Sequence, residues 1–395
     1  MFEMSSKYGT VKVYAETIED EAIGQITEMA NSPLGENAHI RIMPDAHAGA
    51  GCTIGTTMKI TDKVCPNLVG VDVGCGVTLE IFNSEIESRL DELDKIIRTY
   101  VPHGMNVHKK QKLDESYFSR NLKCWDNLSK ESKELALYSL GTLGGGNHFI
   151  EAYQNGKISG IAVHSGSRNI GYKVAAYYQK LAEKQLNQRT KVDFQKILKD
   201  IPPVERELFI LNYKKENASI KKDLAFLTGE DMENYLYDMY FLRNFAGDNR
   251  AEILSVIQKH LNIRPVQRID SVHNYISEDK ILRKGAISAK RGELLVVPMN
   301  MRDGLLVCRG LGNEDWNESA PHGAGRLYSR SKAKELFSLE EYQKSMKGIY
   351  TTCINESTLD EAPFVYKNFE EIERAIKPTV IIEDRLIPIY NFKAN

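Results

Sequence analysis

His322 stands in the run Ser319-Ala320-Pro321-His322-Gly323-Ala324-Gly325-Arg326. A histidine between a proline and a Gly-Ala-Gly bend is poorly suited to filling a core. Gly323 and Gly325 let the backbone approach a ligand closely and take up positive φ. N–H groups freed in such a bend can cradle phosphate oxygens, and Arg326 can add a two-pronged clamp. An imidazole held there can attack a phosphorus atom and form a covalent intermediate. Taken alone, the residue reads more simply as an ordinary loop histidine; four further motifs of the same character shift the balance.

The first of these is Gly70-Val71-Asp72-Val73-Gly74-Cys75-Gly76-Val77, which puts a carboxylate and a thiol three residues apart in a glycine-rich turn. In an extended segment Asp72 would face the ligand side and Val71 and Val73 would face away. His148, His164 and His273 each end a strand-like piece or follow a glycine run. Thiolate, imidazole and carboxylate are the usual ligands of transition metals, so these five side chains form a candidate metal set in which one thiolate could bridge two ions. Singly, each histidine reads equally well as a hydrogen-bonded structural residue and Cys75 as a small buried apolar one. Asp45 and His47, in Met43-Pro44-Asp45-Ala46-His47, could together activate a hydroxyl. An Asp-initiated turn beside a surface histidine is the equal alternative.

The elements that must position these groups are partly visible. Val11–Ala15 alternates as a strand, and Ile18–Ala30 has helical spacing, stopped by Pro33 and Gly35. Ile40–Val77 reads as loop and turn. Ser84–Tyr100 is an amphipathic helix with Ile86, Leu90, Leu93 and Ile97 on one face, and Ser129–Leu140 is another helix. The Gly144-Gly145-Gly146 hinge leads to Asn147 and His148, and the short strand Ile161–Val163 delivers His164 and Ser165-Gly166-Ser167-Arg168. Residues 173–261 read as a helical insertion, with helices at Lys173–Leu186 and from Glu230 to about Leu261, around a polar stretch containing Pro202-Pro203. Strand-like pieces alternate with turns from Arg268 to Leu311. Helices at Ser331–Phe337 and Phe369–Ile376 and an end strand Thr379–Phe392, interrupted at Asp384-Arg385, close the chain. This predicts an α+β (mixed α/β) single domain over residues 1–395.

Composition sets limits. Apolar residues make up 42% of the 395, and the mean hydropathy is −0.39. No run reaches the ~18–20 apolar residues of a membrane span, and no secretory signal is visible. The six cysteines lack framework spacing and read as reduced thiols, so a cytoplasmic protein is expected. A net charge of −2 argues against a general polyanion binder. Yet Arg283–Lys334 holds ten Lys/Arg against five Asp/Glu, a local excess around His322 that suits a phosphate-handling pocket. With no coiled-coil pattern, a monomer is expected.

Met43–His47, Gly70–Gly76, Gly141–Phe149, His164–Arg168, Arg283–Ala286 and Pro321–Arg326 together resemble the RtcB family of RNA ligases, in the family's order and over nearly the whole chain. The resemblance implies an RtcB-like fold and a GTP- and Mn2+-dependent ligase. It would join an RNA end bearing a 3′-phosphate or 2′,3′-cyclic phosphate to a 5′-hydroxyl RNA, in RNA repair or tRNA splicing. His322 matches the histidine that becomes guanylylated, and Cys75 the thiolate bridging two manganese ions, with Asp72 and His148 on one side and His164 and His273 on the other. Asp45 falls among the implied catalytic residues. Asn147 would hold a nucleotide phosphate, Glu151 would accept from a guanine edge, Tyr366 would stack on the base and Lys393 would meet the guanine. Asn274, Pro298, Met299, Asn300, Met301, Gly323, Ala324 and Gly325 complete the implied nucleotide site, and Arg168, Lys284 and Arg326 the implied contacts to RNA or triphosphate. A protein activator is a further partner the resemblance allows.

This chain departs from the family at two places. Pro298-Met299-Asn300-Met301 replaces a Pro-Gly-Ser-Met turn, and Leu305 stands where a serine is expected, which loosens the case for strict guanine selection. Two other readings keep part of the site: a dinuclear metal phosphoesterase acting on RNA ends, and a non-catalytic binder of RNA ends.

Overall fold

The computed structural model describes residues 1–49, 51–156, 158–210 and 220–394, and of residues 188–195 the backbone alone. Helices and strands are mixed along the chain, as the α+β reading expects. One six-stranded sheet runs in the order Phe2–Ser6, Gly9–Val13, Arg41–His47, Ile54–Lys59, Ile281–Lys284, Tyr275–Ile276. A second runs Tyr350–Thr351, Pro388–Lys393, Phe149–Asn155, Ile158–Ser165, Gly76–Phe82, Pro265–Val272. A three-stranded sheet (Leu294–Asn300, Gly304–Gly310, Val380–Leu386) and the pair Ala286–Ser288 with Ser319–Pro321 join them.

The second sheet is the platform of the molecule. Ile253, Leu254 and Ile257 of the helix Gly229–Leu261 pack with its Ile150, Val163 and Phe392, and Leu93 and Ile97 of the helix Leu90–Tyr100 join the same apolar cluster. A larger cluster gathers Ile26, Met29, Val64, Phe118, Tyr178 and Phe245. Local rules account for the short helices. Phe369–Ile376 buries Phe369, Ile372 and Ile376 along one face, and the Asn368 side chain caps it by accepting from the Glu370 N–H.

Several expected boundaries move. Arg41–His47 and Ile54–Lys59 are strands inside the stretch read as loop. They are buried on both faces, so no alternation marks them, and Pro44 and Asp45 are poor strand formers. The helix expected from Ser84 starts at Leu90, after a single 3-10 turn at Glu87–Arg89. The end strand is two strands in different sheets, and it breaks at Ile387 rather than at Asp384-Arg385. Pro388 cannot donate to a ladder and opens the new strand, while Asp384 and Arg385 lie on an exposed sheet edge.

The expected helical insertion is knitted into the platform. Its first helix begins at Arg168 and runs to Lys199, and its second, Gly229–Leu261, lies against the second sheet. Part of the polar stretch between them, 211–219, lies outside the described residues. No helix among the described residues is long and apolar enough to cross a membrane.

Candidate active site

The second sheet brings four of the five expected metal ligands to one end. Cys75 directly precedes the strand Gly76–Phe82, and His148 directly precedes Phe149–Asn155. His164 is the penultimate residue of Ile158–Ser165, and His273 directly follows Pro265–Val272. Register makes them converge: Gly76 lies opposite both Ser165 and Val272, and Phe149 opposite His164. The ladder continues one step past the strands, where the His273 N–H donates to the Cys75 carbonyl at 2.7 Å.

Cys75 Sγ sits 3.4 Å from His148 Nε2 and 3.2 Å from His164 Nε2, and these three buried groups form a cluster able to hold a metal ion. Asp72 Oδ2 lies 3.0 Å from His148 Nε2, and His273 Nε2 lies 3.3 Å from His164 Nε2. Asp72 reaches this place from a turn rather than an extended segment, and Val71 is exposed while Val73 is buried.

The second nitrogens of the rings test whether this set suits a cation. His148 Nδ1 lies 2.9 Å from the Leu143 carbonyl and His164 Nδ1 lies 3.1 Å from the Asn147 carbonyl. These carbonyls orient both rings so that each Nε2 is turned toward the sulfur. Burial, followed by the charges of neighbouring histidines, holds His164 well below the ordinary imidazole range, and burial with His322 and His164 does the same to His273. Burial opposes ionisation of Asp72, but His148 and Arg168 outweigh it and hold the carboxyl at about 2. Burial and Asp72 push the Cys75 thiol up, and a bound cation would reverse that, since metals deprotonate the thiols they bind. Ring nitrogens and a carboxylate converging around one sulfur thus form a donor set that fits a cation, and Cys75 is the shared member of two flanking pairs.

Two polar residues behind the cluster were missed by sequence reasoning. Arg250, 1% exposed, donates to the Ser165 carbonyl at 3.0 Å, the Gly74 carbonyl at 3.2 Å and Thr78 Oγ1 at 2.8 Å. Asn249 accepts from the Gly141 and Thr142 N–H groups through one oxygen and donates to Ser165 Oγ at 3.0 Å. Together they pin the turns that carry Cys75 and His148 to the helix Gly229–Leu261. A signal existed: both polar residues continue the buried face running from Leu242 and Ala246 to Ile253. Arg168 also turns inward, with Nε donating to Thr142 Oγ1 at 3.2 Å and one terminal nitrogen 3.4 Å from His148 Nδ1. Gly144, at φ +81°, leaves it room, because a Cβ there would lie 1.7 Å from the guanidinium.

His322 follows the strand Ser319–Pro321, whose partner is Ala286–Ser288. Its Nδ1 lies 2.6 Å from Asp45 Oδ2, and its ring meets that of His273 edge-on at 4.8 Å between centroids. The expected couple of Asp45 with His47 is therefore replaced. Asp45, fully buried, turns its carboxylate to His322, and His47 Nδ1 lies 2.9 Å from the Asp45 main-chain carbonyl instead. With Nδ1 engaged by the carboxylate, Nε2 is the open nitrogen of His322. Of the two glycines in this bend, Gly325 is the one at positive φ (+75°), and the close approach it permits is to Asp45, whose carbonyl oxygen would lie 2.2 Å from a Cβ.

His322 and His164 line the same cavity of about 550 Å3, within the range of small-molecule sites. Asn147, Glu151, Pro298, Met299, Asn300, Met301, Gly323, Ala324, Gly325, Arg326, Tyr366 and Lys393 also line it. Its far wall is organised by Glu361, a second residue that sequence reasoning passed over. This buried carboxylate accepts from Lys393 Nζ at 2.8 Å and Tyr366 Oη at 2.7 Å on one oxygen and from Arg326 at 3.2 Å on the other, which also lies 3.2 Å from Arg330, itself donating to Asp360 at 2.6 Å. Burial would raise it, but Lys393, Arg330 and Arg326 hold it at about 2. Glu151 behaves oppositely: burial raises it to about 7, despite Tyr153, whose hydroxyl donates to it at 2.5 Å, and despite Lys393 and Asn391.

Other expected site residues lie elsewhere. Lys284, 6% exposed, donates to the Asn67 carbonyl at 3.1 Å and lies against Cys52 in the first sheet, off the cavity wall. Asn274 also lies off the wall. Its side chain donates to the Asp72 carbonyl at 3.2 Å and accepts from the Gly285 N–H at 3.0 Å, which joins the metal turn to the start of Ala286–Ser288, the partner of the strand that leads to His322. Arg326 lines the cavity, but its guanidinium is engaged by Glu361 and by the carbonyls of Asp360 and Tyr328. Leu305 is fully buried among Val77, Leu79, Phe149, Val296 and Leu386.

The arrangement has the makings of a metal-assisted centre for phosphorus chemistry: an oriented imidazole, a cation-ready sulfur cluster and a cavity between them. The family described as tRNA-splicing ligase RtcB matches residues 25–394, and the chain belongs to that family. The RNA-splicing ligase RtcB of Escherichia coli strain K12 is 30% identical over 405 residues, covering 91% of this chain and 90% of that protein. The tRNA-splicing ligase RtcB of Nanoarchaeum equitans is 26% identical, covering 93% of this chain and 90% of that protein. The protein of the same name from Thermococcus kodakarensis is 23% identical, covering 91% and 87%.

Proposed function

We propose that the protein is a GTP- and Mn2+-dependent RNA ligase that joins RNA 3′-phosphate or 2′,3′-cyclic phosphate ends to 5′-hydroxyl ends through a guanylylated His322. The observation that carries this reading is the placement of His322: Nδ1 held by Asp45, and the ring on the wall of a cavity shared with His164 of the metal cluster.

Asp45 fixes the tautomer of His322, so that the Nε2 lone pair is presented to the α-phosphorus of GTP. Formation of the N–P bond expels pyrophosphate, and the Asp45 carboxylate stabilises the positive charge that develops on the ring. A 3′-phosphate oxygen of the RNA then displaces His322 from the phosphorus, which restores the neutral imidazole. The 5′-hydroxyl finally attacks the activated 3′-phosphorus and expels GMP; a cyclic phosphate is first opened by water. Asp72, Cys75, His148, His164 and His273 would hold two manganese ions, and bound cations would neutralise phosphate charge and sharpen the phosphorus as an electrophile. At the far wall Tyr366, Lys393 and Glu151 would receive the base, and Asn147 a phosphate.

Incubation with labelled GTP and Mn2+ tests this. The wild-type protein should gain the mass of one GMP, and His322→Ala should gain none while keeping its fold. Release of phosphate from RNA 3′-phosphate ends without GTP, and with no joining, would point to the phosphoesterase instead.

A further inference from the structure

We propose that Lys367 is a positioning residue that fastens both halves of the Asp45–His322 pair, an inference that rests on the reading of His322 as the nucleophile. The strand Arg41–His47 pairs with Ile54–Lys59 at Arg41, Ile42 and His47, but the register shifts between Ile42 and His47. Asp45 lies in that irregular stretch, where ladder bonds do not hold the backbone.

Lys367, 2% exposed, supplies replacements. Its Nζ donates to the carbonyls of Pro44 and Ala46, at 2.9 Å each, and to the Thr17 carbonyl at 2.6 Å. An ammonium group has three N–H bonds, and all three go to main-chain oxygens. Pro44 and Ala46 flank Asp45, so the peptide groups on both sides of the carboxylate are clamped by one side chain. The Lys367 main-chain N–H reaches the other half of the pair, donating to the Gly325 carbonyl at 3.0 Å, three residues beyond His322. A buried lysine satisfied wholly by carbonyls, with no carboxylate bonded to it, is an expensive way to fill space. Here it fixes the 2.6 Å contact that aims His322.

The test is a double-mutant cycle on the single-turnover rate of GMP uptake, with manganese content and melting temperature recorded for each protein. Lys367→Met keeps the length of the side chain and removes its donors. At saturating GTP its rate should fall about 10- to 100-fold, the penalty typical of a misplaced reactive group. Half-saturating GTP and manganese content should stay within about two-fold of wild type, since the Nζ that is lost bonds only Thr17, Pro44 and Ala46, none of which lines the cavity. The variant combining Lys367→Met with Asp45→Asn should be no slower than Asp45→Asn alone, because both remove the same orientation; a purely structural lysine would add its loss in full. If Lys367→Met does not fold, Lys367→Gln, with shorter reach, carries the same cycle. A Lys367 variant that keeps the wild-type rate, or losses that add in full, overturns this inference alone. A wild-type protein that takes up no GMP overturns the ligase reading with it.

Discussion

The two ends of the cavity are balanced in opposite ways. At the metal end, imidazoles, a thiol and the Asp72 carboxylate point inward, and the sulfur lies within 3.4 Å of two ring nitrogens. At the far end Arg326, Arg330 and Lys393 already have their anion in Glu361. The first end gathers ligand-type atoms around one sulfur in a set that could hold a cation. The second is neutralised by the protein itself, so under the proposed function a base would meet oriented hydrogen-bonding groups rather than naked charge. The metal end also rests on strand termini of one sheet, whereas the far wall collects a loop, a helix start and the last strand around one carboxylate.

That contrast predicts which changes hurt most. Cys75→Ala removes the group shared by both flanking ligand pairs. It should lower manganese content, read by elemental analysis, and cut GMP uptake by at least about 100-fold, with the far-ultraviolet spectrum unchanged. Asp45→Asn leaves the metal end intact but loses the tautomer control of His322, so uptake should fall by about 100-fold or more with manganese retained. Glu361→Gln acts at the far end. It strands buried Lys393 and Arg326 beside a neutral amide, while Arg330 keeps Asp360 at 2.6 Å, and chemical denaturation should show a loss of about 3 kcal/mol, with weaker GTP binding but unchanged manganese.

The smallest effect is electrostatic and separates the two carboxylates of the far wall. Glu361, held at about 2, contributes stability that is full above the ordinary carboxyl value of 4.5 and is lost as pH falls toward 2. Glu151, raised to about 7, favours its protonated form, so its contribution is full below 4.5 and is lost as pH rises through 7. Glu151→Gln should therefore flatten the decline in melting temperature between about pH 5 and about pH 7. An unchanged decline would show that Glu151 is ionised without penalty.

The metal end was the more legible in the sequence, for a physical reason. Asp72 and Cys75 lie in a glycine-rich turn, His148 follows a glycine run, and His164 and His273 end strand-like pieces, so the set stands out although each member alone reads equally well as structural. What holds them there did not stand out: Arg250 and Asn249 lie within a long helix whose buried face otherwise reads as apolar. The partner of Asp45 was also hidden, because His47 is two residues away in sequence while His322 is 277 away. Only the meeting of the first sheet with the short pair Ala286–Ser288 and Ser319–Pro321 brings them together. Glu361 was illegible for a similar reason, since its four partners come from positions 326, 330, 366 and 393. In the fold, amphipathic helices such as Phe369–Ile376 were read to the residue, whereas Arg41–His47, buried on both faces, carried no period to read.

The most direct test is where GMP attaches. Tryptic cleavage after Arg309 and Arg326 releases the peptide Gly310–Arg326, which contains one histidine, His322. After incubation with GTP and Mn2+, this peptide should carry the mass of one GMP through an acid-labile bond. GMP on any other peptide, or a wild-type protein with full metal content and no adduct, would contradict the account.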